Sequence, residues 1–178
     1  MELRPRVHLL VLAAALAAAV PARARVLLSQ KDALALAFPD GKFERRTAYL
    51  TPEQAAAVEK ASGAKLDSKV WTYYVGASSA PPSAYFESHK VRTMNEAFMV
   101  VVNPDATVRF IEILSFAEPS EYQAPKPWLK QFQGKPLGDD LLLRRGLRNI
   151  TGASITSEAV TRGVRRILAV HEVLNRKP

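Results

Sequence analysis

The sequence of 178 residues contains no cysteine. This absence excludes disulfide bonds, thiolate metal sites, lipid attachment through an N-terminal cysteine and the CxxCH attachment of c-type haem. Histidine is scarce as well, because only His89 and His171 follow the N-terminal segment, and two are too few for a histidine metal site. No GxGxxG, P-loop or GxSxG sequence occurs, so the common signatures of nucleotide binding and of a serine nucleophile are missing.

Long apolar runs are also missing, with one exception at the N-terminus. Residues 7–20 are apolar apart from His8, follow a start that contains Arg4 and Arg6, and precede the small-x-small sequence 21–24. This order is typical of a secretory signal peptide, with cleavage after Ala24. The run is shorter than the roughly 20 residues that span a bilayer, which disfavours an uncleaved anchor. We therefore expect a periplasmic or otherwise extracytoplasmic protein.

The chain is basic. Removing residues 1–24 takes away three arginines and one glutamate and lowers the formal charge from +8 to +6. Outside the cytoplasm we expect no nucleic-acid partner, so the positive charge favours an anionic cofactor, an acidic protein or a membrane surface, or serves solubility alone. The remaining chain of roughly 150 residues has the length of one domain with a hydrophobic core.

Two helix starts are readable near the beginning of the mature chain. The hydroxyl and acid of Ser29–Asp32 predict a short helix that ends before Pro39. Residues 51–54, Thr-Pro-Glu-Gln, combine a capping box with proline at the first helical position and predict a second helix that ends at Gly63. Between the two helices, residues 42–50 alternate in the manner of a strand.

The residue pattern in the middle of the chain is typical of β-strands joined by turns. Turn-forming residues at 103–106 predict a hairpin, and a proline-rich passage at 118–128 precedes a short amphipathic piece at 128–132. Over residues 110–116, apolar residues occur at both odd- and even-numbered positions, which point to opposite faces of a strand. The pattern therefore does not say which face of that strand is buried. Four segments are rich in aromatic and β-branched residues and are predicted to be strands: 70–75, 84–91, 97–102 and 107–116.

The last predicted element is an amphipathic helix that begins after residue 153. Apolar residues recur there at helical spacing, and His171 falls on the apolar stripe, which favours a core role for it. Strands in the middle and helices at both ends predict one α+β domain with a central, mostly antiparallel sheet flanked by helices. We divide the chain into a signal peptide (1–24), an N-terminal helical and strand segment (25–68) and a main domain (69–178).

The sequence NITGASITSE, residues 149–158, concentrates four hydroxyl side chains before that helix: Thr151, Ser154, Thr156 and Ser157. One hypothesis is that a hydroxyl merely caps the helix, which stabilises it by about 1 kcal/mol. The other is an anion site, because a helix start offers unpaired N–H groups and Gly152 allows close approach of the backbone. Arg144, Arg145 and Arg148 lie just upstream and can add charge-assisted contacts.

Residues 151–157, TGASITS, resemble the flavinylation motif of the FMN-binding domain family, which includes periplasmic subunits of sodium-pumping and related electron-transport complexes. All six positions of its pattern, Ser/Thr-Gly-Ala-Ser/Thr-x-Ser/Thr, agree from Thr151 to Thr156. In that family the final hydroxyl carries FMN in a phosphoester bond made by an extracytoplasmic FAD:protein FMN transferase. The resemblance therefore implies covalent FMN on Thr156. The motif residues implied to surround the cofactor are Thr151, Gly152, Ala153, Ser154, Ile155 and Ser157.

Two more positions carry hypotheses. The segment His89–Thr93, followed by Glu96, is similar to a segment before the hairpin in some secreted members, and we interpret His89 as a candidate flavin contact. Arg148 stands three positions before the first hydroxyl, where the family usually has an acidic residue. An arginine there can hold FMN without a covalent bond, so Arg148 is a candidate for cofactor binding.

The resemblance implies a flavoprotein that relays electrons between membrane or periplasmic partners, a haem protein among them. A covalent tether keeps the effective concentration of the cofactor high outside the cytoplasm. No acid, base and nucleophile converge in the sequence, which favours a carrier over a stand-alone enzyme. Two alternatives stay open: a sensory or interaction module that binds FMN reversibly, with Arg148 replacing covalent capture, and a cofactor-free interaction domain whose hydroxyls are helix caps.

Overall fold

The computed structural model describes residues 25–176, so the predicted signal peptide lies outside the described residues. None of the helices in this range combines the length and apolar character needed to cross a bilayer. Short 3₁₀ turns occupy Ser120–Tyr122, Lys130–Phe132 and Asp139–Leu141. The strands and α-helices are β1 (Arg25–Val26), α1 (Gln30–Ala37), β2 (Phe43–Tyr49), α2 (Pro52–Ser62), β3 (Val70–Gly76), β4 (Ser83–Lys90), β5 (Asn95–Val102), β6 (Val108–Phe116), α3 (Lys126–Leu129) and α4 (Ser154–Asn175).

The six described strands form one antiparallel sheet in the order β1-β6-β5-β4-β3-β2. The N-terminal segment 25–68 supplies both edge strands, because β1 pairs with β6 and β2 pairs with β3. It is therefore part of the same sheet as the rest of the chain. The prediction of a single α+β domain with an antiparallel sheet and a C-terminal helix is confirmed.

The predicted helix starts are confirmed in their atomic details. Ser29 accepts a hydrogen bond from the amide of Asp32 at 3.1 Å. At α2, the Gln54 amide donates to the Thr51 hydroxyl at 3.2 Å and the Thr51 amide donates to the Gln54 side chain at 2.9 Å. Gly63 ends α2 in the left-handed region with φ 71°, where glycine is the least strained residue.

Helices cover the sheet on both faces. α2 and α4 enclose the larger core, while α1 packs Leu34 against a smaller core on the opposite face. β6 contributes to both, because Ile111 and Ile113 enter the larger core and Leu114 the smaller one. Register irregularities in the β5–β6 pairing, of the β-bulge type, shift the side-chain alternation. The mixed parity of residues 110–116 therefore reflects a strand that is covered on both sides.

α4 lies unusually close to the sheet at Gly163. A Cβ atom at this position would come within 2.5 Å of the Glu87 Oε1 atom and 2.7 Å of the Phe98 Cζ atom. Only a residue without a side chain allows α4 to pack at this distance from β4 and β5. This contact sets the distance between α4 and the sheet. It therefore also sets the position of the hydroxyl-rich stretch at the start of α4.

Candidate functional site

The hydroxyl-rich stretch forms a turn and the first turn of α4. Ala153 is the N-cap, and no side chain of the described chain caps this helix. The first helical hydrogen bond runs from the Ser157 amide to the Ala153 carbonyl at 3.1 Å. The amides of Ser154, Ile155 and Thr156 come before it and are the unpaired donors of a helix start. The hypothesis that a hydroxyl caps α4 is therefore wrong, and the partial positive charge of this end remains available to an anion.

The turn before α4 is held by its own side chains. Gly152 has φ +80°, and a Cβ atom there would meet nothing within 4 Å, so the glycine serves the left-handed backbone rather than packing. Ser157 closes the turn from inside, because its hydroxyl accepts from the Ile150 amide at 3.0 Å and donates to the Ala153 carbonyl at 3.1 Å. Ser157 is fully buried, so a ligand cannot reach its hydroxyl.

The remaining hydroxyls of the motif differ sharply in access. Thr156 is only 1% exposed, and its Oγ1 donates to the carbonyl of Tyr122 at 2.7 Å. Thr151 and Ser154 are exposed. The Ser154 Oγ accepts a hydrogen bond from the Asn149 side-chain amide at 3.0 Å. A phosphate group can thus reach Thr151 and Ser154, whereas Thr156 is inaccessible in this structure.

Arginines border this turn. The backbone of Arg148 is fixed, since its amide donates to the Gln131 side chain at 3.0 Å and its carbonyl accepts from the Trp128 indole. Its guanidinium is on an exposed residue next to the turn, where it is available to an anion. Arg92 lies with its guanidinium carbon 5.0 Å from the ring centre of Tyr122, the residue whose carbonyl binds Thr156.

A cleft of about 450 Å³ runs along the second and third turns of α4. We call it the arginine cleft. It is lined by Leu142, Leu143, Arg144, Arg145, Glu158, Thr161, Arg162 and Arg165. Two of its arginines have structural partners: Arg145 pairs with Asp139, and Arg165 donates to the carbonyls of Ala61, Ser62 and Gly138. Arg144 and Arg162 are exposed.

Thr161 is the unusual residue of the arginine cleft. It is 5% exposed, and its Oγ1 is buried without a hydrogen-bond partner among the described residues. A buried hydroxyl that makes no hydrogen bond costs about 1–3 kcal/mol. Sequence reasoning did not single out Thr161, although it stands seven residues after Ser154 and therefore on the same face of the helix.

His89 belongs to a buried cluster of charges that we call the ion cluster: Glu87, His89, Glu96 and Arg166. The His89 Nε2 atom lies 3.0 Å from the Glu96 Oε2 atom, and Nδ1 lies 3.5 Å from the Glu87 Oε1 atom. Arg166 contacts both carboxylate oxygens of Glu87. The His89 side chain is 11% exposed. The structure thus gives His89 a role in the ion cluster, with a small exposed area towards a second cleft, which Ala159 and Arg162 also line.

Charges within the ion cluster shift the pKa values of its members. Burial lowers the pKa of His89, but hydrogen bonds and charges of Glu87 and Glu96 outweigh it and raise the pKa to about 8. Burial raises the pKa of Glu87, yet its bonds to His89 and Arg166 lower it overall. His171 behaves in the opposite way. It lies in the core with its Nδ1 atom 3.0 Å from the Tyr85 hydroxyl, and burial lowers its pKa to about 4.

We predict that stability is highest near pH 6.5. The pKa of His89 is raised from 6.5 to about 8, so its contribution is complete below pH 6.5 and is lost as the pH rises through 8. Its size is on the order of 2 kcal/mol. The pKa of His171 is lowered from 6.5 to about 4, so protonation destabilises the fold as the pH falls below 6.5. Urea unfolding at pH values from about 5 to about 9 measures how the free energy of unfolding depends on pH.

The variant His89→Gln provides the control. It should lose the decline of stability on the alkaline side while keeping the decline on the acidic side, because His171 is unchanged. An alkaline decline of equal size in His89→Gln would show that another group causes it.

A larger cleft of about 510 Å³ opens where β3 and β4 diverge. Pairing between these strands extends only from Tyr73↔Tyr85 to Val75↔Ser83. Trp71, Tyr74 and Phe86 line the opening. No motif residue lines it, so its aromatic rings are not brought to the hydroxyl-rich turn. Tyr85, another aromatic of this region, is fully buried and stacks on Tyr73 at 5.3 Å.

The fold and the site define an α+β domain whose last helix begins, uncapped and bordered by arginines, at a turn with an exposed hydroxyl. Residues 95–169 match the family model of the FMN-binding domain. The match runs from β5 into α4 and includes the whole motif, while His89 lies before it. No curated protein and no solved structure matches the chain. The resemblance of residues 151–157 is confirmed, and a flavin-binding role is supported.

Proposed function

We propose that this protein carries FMN in a phosphoester bond at the turn before α4 and relays electrons outside the cytoplasm. One observation carries the proposal. Within a segment of the FMN-binding domain family, α4 begins without a side-chain cap and places an exposed hydroxyl on its first residue, Ser154. An anionic group bonded to that oxygen lies beside the unpaired amides of the first turn.

The geometry favours Ser154 over Thr156 as the attachment residue. The motif pattern points to Thr156, but the hydroxyl of that residue is buried and donates to the Tyr122 carbonyl. A transferase cannot reach it unless the residues around Tyr122 move. Ser154 is exposed, and its Oγ accepts one hydrogen bond from Asn149. That bond orients the oxygen and leaves a lone pair for attack on phosphorus.

The donors around the turn fit an FMN phosphate. The amides of Ser154, Ile155 and Thr156 and the helix dipole favour the negative charge of a phosphodiester, and Arg148 can add a charge-assisted contact. FMN, when bound, supplies the one- and two-electron chemistry that the chain itself lacks. The role of the protein residues is to hold the phosphate, orient the ring and shield it from solvent.

Loading requires FAD:protein FMN transferase and FAD. The oxygen of Ser154 forms a bond with the FMN phosphorus, the pyrophosphate bond of FAD breaks and AMP leaves, while the hydroxyl proton passes to solvent. This reaction fits an extracytoplasmic location, which we propose on the basis of the sequence of residues 1–24. Electron donors and acceptors would be membrane or periplasmic redox proteins, with a haem protein as one candidate.

A second candidate is a sensory or interaction module that binds FMN reversibly. Arg148 favours it, because an exposed arginine takes the place of the usual acidic residue next to the turn. The third hypothesis, a cofactor-free domain with hydroxyl caps, loses its basis because α4 has no side-chain cap.

The intact mass of the denatured protein tests the proposal. We expect the protein, secreted from a host that co-expresses the transferase, to gain the mass of one FMN on the peptide containing residues 149–158. Without the transferase it should stay unmodified. An unmodified mass in both hosts would contradict covalent attachment, and titration of the folded protein with FMN would then detect reversible binding.

A further inference from the structure

We infer that residues 119–123, which we call the strap, close over Thr156 and admit the transferase to this residue only when they open. The inference rests on the proposed function, because it assumes that FMN is transferred to a hydroxyl of the motif. It adds a control over which hydroxyl is modified, since Thr156 is buried under the Tyr122 carbonyl whereas Ser154 is exposed.

The strap is fixed at both of its ends. Before it, the Glu118 carboxylate accepts hydrogen bonds from the amides of Thr93 and Met94 at 2.6 and 2.9 Å and from the Thr93 hydroxyl at 3.0 Å. After it, Ala124 is 1% exposed and packs in the larger core. The strap is therefore a short bridge whose middle can lift while the residues on either side stay in place.

Few contacts hold the middle of the strap down. Residues 119–121 are exposed, and the backbone hydrogen bonds of the strap are internal to a single 3₁₀ turn at Ser120–Tyr122. In the described part of the chain, one hydrogen bond joins the strap to another element, from the Thr156 Oγ1 atom to the Tyr122 carbonyl at 2.7 Å. A segment with so few external contacts opens locally at a much lower free energy than the whole domain.

Arg92 holds the strap shut from the outside. Its guanidinium carbon lies 5.0 Å from the centre of the Tyr122 ring, a distance at which a cation is attracted to an aromatic face. The other side-chain contact of Tyr122 is its packing against the larger core. Arg92 therefore acts on the residue whose carbonyl covers Thr156, and its loss should favour the open strap without changing the motif.

Opening of the strap frees the Thr156 oxygen for the transfer reaction. This oxygen can then form a bond with the FMN phosphorus, while the pyrophosphate bond of FAD breaks, AMP leaves and the hydroxyl proton passes to solvent. Ser154 lies two residues earlier in α4, and residues at this spacing do not share a helix face. The strap can thus cover one hydroxyl of the motif and leave the other exposed.

Hydrogen exchange of the flavin-free protein, read by mass spectrometry, measures strap opening. A single 3₁₀ turn is not stable once it is lifted from the protein, so its amides exchange in the open state. We expect the peptide that covers the strap to exchange about two- to fivefold faster in Arg92→Gln and about two- to tenfold faster in Thr156→Val. Arg109→Gln is the control, because Arg109 is exposed on β6 and has no contact with the strap. Unchanged exchange in both strap variants would overturn the inference.

The rate of FMN transfer to Thr156 tests the control of access. The Ser154→Ala protein is incubated with FAD and an excess of purified transferase, long enough to detect transfer that is too slow to accumulate during co-expression. Fragmentation of peptide 149–162 assigns the modified residue. Adding Arg92→Gln should raise the initial rate at Thr156 about two- to fivefold, in proportion to the population of the open strap, whereas adding Arg109→Gln should not.

The possible failures can be told apart. If Ser154 is loaded in wild-type protein but Thr156 is never modified, or is modified at the same rate with and without Arg92→Gln, the inference is overturned while the proposed function stands. If wild-type protein carries FMN on neither residue, the proposed function fails and the control of access fails with it.

Discussion

Replacing Ser154 by alanine should abolish covalent loading with FMN, whereas Thr156→Val should leave the flavin attached. This result is expected because the two hydroxyls differ in access: Ser154 is exposed, and Thr156 is 1% exposed with its Oγ1 bonded to the Tyr122 carbonyl. Valine keeps the branched shape of threonine, so the packing under the turn is retained. Loss of the Thr156 hydroxyl leaves the carbonyl of the partly buried Tyr122 without its donor, which costs about 1 kcal/mol of stability.

Intact mass of the denatured variants, co-expressed with the transferase, measures the effect. Thr151→Val is the matched control, because Thr151 is also exposed but precedes the helix start and its free amides. We expect full loading of Thr151→Val and Thr156→Val and none of Ser154→Ala. The reverse pattern, with loading lost only in Thr156→Val, would establish Thr156 as the attachment residue and would require the Tyr122 segment to open during transfer.

Glu87→Gln should lower the free energy of unfolding by roughly 3 kcal/mol. Glu87 is 9% exposed and binds Arg166 through both carboxylate oxygens, with His89 on its other side. Removing its charge leaves the buried guanidinium of Arg166 without a counterion, next to the point where Gly163 brings α4 close to the sheet. Breaking one partner of a buried pair is costly for this reason, even where the intact pair contributes little.

The same substitution at an exposed pair provides the comparison. Glu44 contacts Arg46 at 2.8 Å, but their side chains are 66% and 49% exposed. Water compensates for the lost charge there, so Glu44→Gln should change stability by less than about 0.5 kcal/mol. Urea titrations of both variants at pH 7 measure the difference. Equal effects would mean that the ion cluster is hydrated and does not hold α4 on the sheet.

The sequence alone determined the local structure of this protein. The capping box at Thr51 and the left-handed glycine at Gly63 set the ends of α2, and the turn at 103–106 set the hairpin. The motif at 151–157 identified the family that residues 95–169 match. These features are readable because each depends on hydrogen bonds or dihedral angles within a few residues of chain.

Only the tertiary structure decided which side chains are exposed to solvent and which charges are paired. The hydroxyl of Thr156 donates to the carbonyl of Tyr122, 34 positions earlier in the chain. The helix-cap hypothesis is wrong because no hydroxyl of the motif caps α4. Both parities of β6 are apolar because helices cover both faces of the sheet. His89 entered an ion cluster completed by Arg166, 77 positions later in the sequence. Solvent access and charge pairing depend on segments that are far apart in the sequence and meet only in the folded protein. A local sequence pattern therefore cannot predict them.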